Sequence, residues 1–173
     1  MQLDLTPYEP LLALVRTNAA YILPMMGLIG FIKSLPIIAV FLPSTVLFVG
    51  IGSIYAASGG TFGPLWLAVA IGATAGDLLC YLVGRFAGDD AGNIWPVSKY
   101  PAAIPKGKTV FAKYGVMSVL GAKFVWGLRP FIPIVAGIYI MPVWLFLPAT
   151  TLSSMIWAGI GIGAGFSGAA LFK

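Results

Sequence analysis

The chain has 173 residues, of which 60% are hydrophobic and 9% are charged, with a mean hydropathy of +0.98 and a formal net charge of +5. Soluble domains are about half apolar and a quarter charged, so this composition excludes a water-soluble enzyme and indicates an integral membrane protein of one domain. Because there is no histidine and only one cysteine, Cys80, a Ser-His hydrolase, a histidine-ligated zinc site and a thiolate metal cluster are excluded. We expect no cofactor and no nucleic-acid partner, and attribute the positive charge to topology and anionic lipid.

The first part of the chain predicts an interfacial helix, a short span and a proline-broken segment. Residues 7–16 have one apolar face and are expected to lie on the membrane surface. Residues 17–32 are uncharged and suit a short or tilted span. Residues 34–58 contain Pro36 and Pro43, which each remove a backbone donor, and lipid cannot solvate the freed backbone groups. We therefore interpret residues 34–58 as a re-entrant hairpin, the alternative being kinked but complete spans.

The second part of the chain continues with long apolar stretches around a basic region. Residues 62–86 form the longest clean span, and residues 143–172 form the last one. Residues 117–141 are again broken by prolines and are interpreted as a second re-entrant hairpin. Between the two halves lies a polar loop at about residues 87–113, expected to be cytoplasmic because of the basic residues in and next to it. These are Arg85, Lys99, Lys106, Lys108 and Lys113.

The two halves, residues 17–88 and 106–172, resemble each other. Lys33 precedes the motif at residues 41–43 by the same spacing as Lys123 precedes the motif at residues 131–133, an offset of 90 residues. Paired broken segments in two halves are typical of inverted-repeat transporters. The predicted fold is therefore an all-α membrane protein with an inverted repeat, spanning helices, and two opposed re-entrant hairpins whose tips meet near the midplane.

Charged residues within the apolar segments are the candidates for function. A charge at mid-bilayer costs about 2.5–3.5 kcal/mol on insertion scales, so it needs a partner or a task. Lys33 and Arg85 are candidate auxiliary charges, or they extend to an interface. Asp77 either forms a structural ion pair with Lys123 or Arg129, or gates the site by neutralising these cations. Both roles are compatible, because a carboxylate can exchange a cationic partner for a proton.

Two further groups are candidates for substrate binding. The forked guanidinium of Arg129 suits a phosphate better than an ammonium would, the alternative being an interior salt bridge. Lys123 is the candidate that assists it. The hydroxyls of Ser44 and Thr45 follow Pro43 and are candidates for bonding a substrate, or else for satisfying backbone groups at a broken helix.

Two stretches of the chain carry a family resemblance. Residues 72–88, GATAGDLLCYLVGRFAG, resemble the glycine-aspartate, tyrosine and glycine-arginine segment of the DedA family, also called the SNARE-associated Golgi or VTT-domain family. Residues 122–142, AKFVWGLRPFIPIVAGIYIMP, resemble its second signature. The resemblance extends over about residues 28–170 and implies opposed re-entrant hairpins. Family members are implicated in moving lipids: bacterial ones in undecaprenyl phosphate recycling and phosphatidylethanolamine movement, eukaryotic ones as scramblases.

The resemblance also implies roles for individual residues. Asp77 matches the membrane aspartate of the family, Arg129 matches the second arginine of the hairpin signature, and Lys123 occupies the place of the first. Lys33 and Thr45 stand where the family usually has acidic residues thought to serve proton coupling. This departure puts coupling of transport to protons in question.

These observations predict a lipid flippase or scramblase of the bacterial inner membrane. Its partners would be membrane lipids, through a phosphate head group held by Arg129 and Lys123, with protons as a further option. A homo-oligomer is left open. The alternatives are a small-ion or oxyanion transporter and a membrane scaffold that transports nothing. An enzyme is not expected, because the sequence holds no nucleophile–base pair.

Overall fold

The computed structural model describes residues 19–36, 44–93, 97–125 and 129–171, and the regular secondary structure of these residues is helical. The interfacial helix predicted at residues 7–16 lies outside the described residues. Three short 3-10 turns occupy Gly88–Asn93, Val97–Lys99 and Ala122–Phe124. In chain order the α-helices are α1 (Ala19–Ser34), α2 (Ser44–Ala57), α3 (Phe62–Ala87), α4 (Ala103–Tyr114), α5 (Val116–Gly121), α6 (Phe131–Ile138) and α7 (Val143–Leu171).

Two helices, α3 and α7, are long and apolar enough to cross a membrane by length and composition. Their apolar parts are Phe62–Ala87 and Val143–Gly168, each of 26 residues. At 1.5 Å per residue each is about 39 Å long, which exceeds the hydrocarbon core of about 30 Å. Both spans agree with the sequence prediction within a few residues.

The other apolar helices are shorter within the described residues. Helices α1 and α2 have 16 and 14 residues, so they measure about 24 and 21 Å, and α6 measures only about 12 Å. Within residues 34–58, α1 ends at Ser34 and α2 occupies Ser44–Ala57. Residues 37–43 of this segment lie outside the described residues, so the first re-entrant hairpin stays a prediction. The second break falls between α5 and α6, inside residues 117–141 as predicted.

The short helices pack on the long helices in an exchanged pattern. Helix α1 lies along α3 and α5 lies against α7, whereas α2 packs on α7 and α6 packs on α3. The long helices also contact one another. Glycines allow close approach: a Cβ at Gly72 would lie 1.9 Å from the carbonyl oxygen of Gly27, and one at Gly84 would lie 1.9 Å from that of Ile134. Small residues at helix contacts are the usual means of packing in a membrane, where lipid supplies no hydrophobic drive.

The basic segment at residues 87–113 was predicted as a loop but is largely helical. Helix α4 places Ile104 inward, against α6, and leaves Lys106 and Lys113 exposed. Its apolar residues are few but fall on one face, which is enough to dock a short helix against the bundle. The helix in this segment was not predicted, and the expected cytoplasmic side stays a prediction.

Candidate functional site

Asp77 lies in the second half of α3 and faces the interior of the bundle, with 2% of its surface exposed. Its Oδ2 atom lies 2.6 Å from Nζ of Lys123, which follows α5 in a 3-10 turn. The same oxygen accepts a hydrogen bond of 2.6 Å from Oγ1 of Thr150 on α7. Of the two cationic partners that the sequence left open for Asp77, the structure therefore selects Lys123.

Thr150 belongs to a row of buried hydroxyls on α7 that sequence reasoning missed. Ser153 donates a hydrogen bond of 2.7 Å to the carbonyl oxygen of Leu120, at the end of α5, and Ser154 donates one of 2.7 Å to that of Thr150. The bond from Ser153 ties α5 to α7 and so fixes the turn that carries Lys123. The run of hydroxyl residues at 150–154 inside an apolar span was the available signal.

Arg129 lies over the indole ring of Trp157, with Cζ 3.8 Å from the ring centroid. The ring is held edge-on by Phe48 of α2, at 5.1 Å between centroids. Stacking engages the face of the guanidinium but none of its in-plane N–H donors. The Nε and Nη2 atoms are buried without a hydrogen-bond partner among the described residues, and no described carboxylate lies within 4 Å of the group.

Lys33 is a further cation of this region. It lies in the last turn of α1 with 2% of its surface exposed, which contradicts the alternative that it extends to an interface. The next residue, Ser34, donates a hydrogen bond of 2.9 Å to the carbonyl oxygen of Ala73, one turn before Asp77. Lys33 is within electrostatic range of Arg129, and Arg129 is within range of Asp77.

We call Lys33, Asp77, Lys123 and Arg129 the charge cluster. It holds three cationic side chains and one carboxylate, a formal excess of two positive charges among these four groups. A buried charge without a partner is costly, and Arg129 has no carboxylate within 4 Å among the described residues. Arg129 is therefore chemically suited to receive an anion that accepts hydrogen bonds from its Nε and Nη2 atoms.

Three other residues were candidates for the site: Arg85, Ser44 and Thr45. Arg85 is exposed in the last turn of α3, about 12 Å along the helix from Asp77, and donates a hydrogen bond of 3.0 Å to the Tyr81 hydroxyl. Its predicted role as an auxiliary charge in the site has no support in the geometry. The side chains of Ser44 and Thr45 lie outside the described part of the structure, so their predicted role stays a prediction.

By length and composition, the two long helices of this bundle are those of a helical membrane protein. The model of the VTT domain matches the chain over residues 42–167, which is most of its length. The chain therefore belongs to the VTT-domain family, the DedA family that its two signatures resemble.

Several bacterial membrane proteins are similar to this chain. The inner membrane protein YabI of Escherichia coli (strain K12) is 28% identical over 145 residues, which cover 83% of this chain and 56% of YabI. An uncharacterized membrane protein of Buchnera aphidicola subsp. Schizaphis graminum (strain Sg) is 25% identical over 150 residues, covering 87% of this chain and 60% of that protein. The inner membrane protein YohD of Escherichia coli is 30% identical over 102 residues, 59% of this chain and 52% of YohD.

The chain thus spans between half and 60% of the length of these relatives. No solved structure matches it.

Proposed function

We propose that this protein moves a phosphate-bearing lipid across the bacterial inner membrane, the lipid being undecaprenyl phosphate or a phospholipid. The observation that carries the proposal is the guanidinium of Arg129, whose Nε and Nη2 atoms are buried and have no hydrogen-bond partner among the described residues. A phosphate would accept hydrogen bonds from both atoms and balance the positive charge of the guanidinium. Movement of the lipid makes and breaks no covalent bond.

The charge cluster divides into a part that binds and a part that gates. Arg129 is held by the face of Trp157, so its donors keep one orientation and are pre-organised for a tetrahedral anion. Lys123 is engaged by Asp77 at 2.6 Å. A phosphate that approaches Lys123 competes with Asp77, and the carboxylate is then the group that moves aside or takes up a proton. Lys33 adds positive charge on the side of α1.

The packing of the helices supports an inverted repeat with two opposed hairpins. Helices α1 and α2 would form one hairpin, and α5 and α6 the other. In each half the first short helix packs on its own long helix and the second packs on the long helix of the other half. An approximate two-fold axis in the membrane plane produces this exchange. Lys33 and Lys123, 90 residues apart, then occupy corresponding places at the two breaks.

Lipid movement in liposomes tests the proposal. The protein is reconstituted in vesicles with phosphatidic acid that carries a fluorescent acyl chain, and an impermeant reductant reports how fast the label changes leaflet. Arg129→Gln is expected to slow this movement about tenfold or more, because the variant loses charge-assisted hydrogen bonds to the phosphate. Arg129→Lys keeps the charge but loses the fork, so most of the activity should also be lost. Arg85→Gln removes an arginine outside the cluster and should retain most of it.

The other functions considered from the sequence predict different results. A small-ion or oxyanion transporter would move radiolabelled phosphate or sulfate into the same vesicles and leave the lipid label in place. A scaffold would move neither, and its Arg129→Gln variant would behave as the unmodified protein does. Either result would replace the lipid transporter by the corresponding alternative.

The topology is tested by cysteine labelling. In a Cys80→Ser background, which keeps a donor for the carbonyl oxygen of Ser34, single cysteines replace Thr61 and Lys106. Both positions are exposed, Thr61 before α3 and Lys106 on α4. Because α3 is long enough to span the bilayer, the two should react with an impermeant reagent from opposite sides. Labelling from one side would contradict the opposed-hairpin arrangement.

A further inference from the structure

An apolar groove lies along the seam between the two long helices, outside the charge cluster. It has a volume of about 360 Å³ and a lining that is almost entirely apolar. On α3 it extends from Leu67 to Leu78, and on α7 it includes Thr151 and Met155. We infer that this groove binds the hydrocarbon tail of the lipid whose phosphate lies at the charge cluster. The inference rests on the proposed function and adds a second subsite to it.

One end of the groove lies beside Asp77, the residue of the charge cluster on α3, and its hydrogen-bond partner on α7. Leu78 and Thr151 directly follow Asp77 and Thr150, which are hydrogen-bonded to each other at 2.6 Å. One end of the groove is therefore at the same depth in the membrane as the charges. The other end, at Leu67, lies about 16 Å away along α3. A lipid with its phosphate at the cluster would direct its tail along this line.

The size and apolar lining of the groove suit one hydrocarbon tail. A 150 Å³ cavity accommodates benzene, so 360 Å³ corresponds to about 14 carbon atoms, which is the scale of one acyl chain or a few isoprene units. Thr74 is one of the lining residues with a hydroxyl, and it donates its hydrogen bond to the carbonyl oxygen of Ala70 at 2.8 Å. The groove thus offers shape rather than polar contacts.

The neighbouring lipid-facing surface suggests how the tail enters. Ile71 and Leu67 are 67% and 44% exposed, so the groove opens sideways toward the hydrocarbon of the bilayer. Bulk lipid is as apolar as the groove, so burial alone gives no preference for one tail over another. Selective occupancy must come from the phosphate that holds the lipid at the cluster. Binding of the tail should therefore depend on the head group.

Photo-crosslinking from within the tail tests this inference. The full chain is reconstituted in vesicles of digalactosyldiacylglycerol, which carries no phosphate, with phosphatidic acid that carries a diazirine in the middle of one acyl chain. After irradiation, digestion and mass spectrometry map the adducts. We expect them to concentrate on Leu67–Leu78 of α3 and on Met155, severalfold above Leu28, which is exposed on α1. Excess unlabelled phosphatidic acid should lower the groove adducts severalfold, and diacylglycerol with the same chains should not.

A filled groove provides the matched variant. Ala75 lines the groove and is exposed, so Ala75→Phe should fill it without disturbing the core and should remove most of the groove adducts. Ile160→Phe adds a similar ring at a position on α7 that is 61% exposed and outside the groove, and should leave them unchanged. Adducts spread evenly over the exposed faces of α1, α3 and α7, or unaffected by Ala75→Phe, would show annular lipid only and overturn the inference.

Binding of a phosphate without a tail separates this inference from the proposed function. Glycerol phosphate is titrated into the detergent-solubilised protein by calorimetry. If binding requires Arg129 while the tail adducts are unspecific, the phosphate site stands and the groove is refuted. If adducts concentrate in the groove but diacylglycerol competes equally and glycerol phosphate does not bind, the groove holds any lipid tail. Both the phosphate site and the stated dependence on the head group are then refuted.

Discussion

Replacing Asp77 by Asn would leave the ammonium group of Lys123 buried without its carboxylate. At 2.6 Å two unit charges attract by about 6 kcal/mol at an effective dielectric constant near 20, and breaking one partner of a buried pair typically costs 3–5 kcal/mol. The amide oxygen of Asn can still accept the hydrogen bond of Thr150, so the change removes mainly the charge. It raises the excess of positive charge in the cluster from two to three.

Lys123→Met should cost less than Asp77→Asn. It leaves Asp77 with the hydrogen bond of Thr150 and within electrostatic range of Arg129, and it lowers the positive excess from two to one. The double variant restores the original excess, so its stability should return to within about 1 kcal/mol of the unmodified protein. Arg129→Gln should be neutral or stabilising, because it removes a buried cation that has no carboxylate within 4 Å among the described residues.

Thermal unfolding in detergent measures these differences. A loss of 3–5 kcal/mol corresponds to a decrease in Tm of roughly 6 to 20 °C for a chain of this size. The reasoning is refuted if the double variant is no more stable than the worse of the two single variants. If Arg129→Gln has as low a Tm as Asp77→Asn, Arg129 is a structural partner of the carboxylate. The proposed binding of a phosphate by Arg129 would then lose its physical basis.

Further substitutions test a hydrogen bond, a close helix contact and a strained backbone position. Thr150→Val should lower stability by about 1.5–3 kcal/mol through the lost hydrogen bond to a charged acceptor, whereas Thr150→Ser, which keeps the bond, should cost much less. Gly72→Ala should force α1 and α3 apart, because its Cβ would lie 1.9 Å from a carbonyl oxygen, at a cost of about 1–3 kcal/mol. A Cβ at Gly163 would have no neighbouring atom within 4 Å, so Gly163→Ala should stabilise the protein by up to about 1 kcal/mol. Equal losses of stability at Gly72 and Gly163 would contradict the described packing of α1 on α3. Ile140 has a φ of 51°, and a left-handed conformation costs a branched residue about 1–2 kcal/mol. Ile140→Gly should therefore raise Tm by a few degrees. A lower Tm would show that the side chain of Ile140 contributes more stability than the backbone strain costs.

Much of this protein follows from its composition and from linear spacing. Charge-free runs longer than a bilayer crossing require membrane helices, and the described structure has two of sufficient length. The scarcity of intramembrane charge made Asp77, Lys123 and Arg129 conspicuous, and all three lie together. Prolines predicted broken segments at residues 34–58 and 117–141, because a proline removes a backbone donor. Proline alone does not decide where a helix ends, since Pro24 and Pro148 lie inside α1 and α7.

Which partner each charge takes was decided by tertiary structure alone. Spacing along the chain gives the depth of a residue on its helix, but pairing across helices depends on how closely the helices approach and how they cross. Contacts at Gly72 and Gly84 set two of these approaches, and hydrogen bonding by Ser153 positions the turn of Lys123. Lys123 therefore pairs with Asp77, and Arg129 lies stacked on an aromatic ring with Nε and Nη2 unpaired among the described residues.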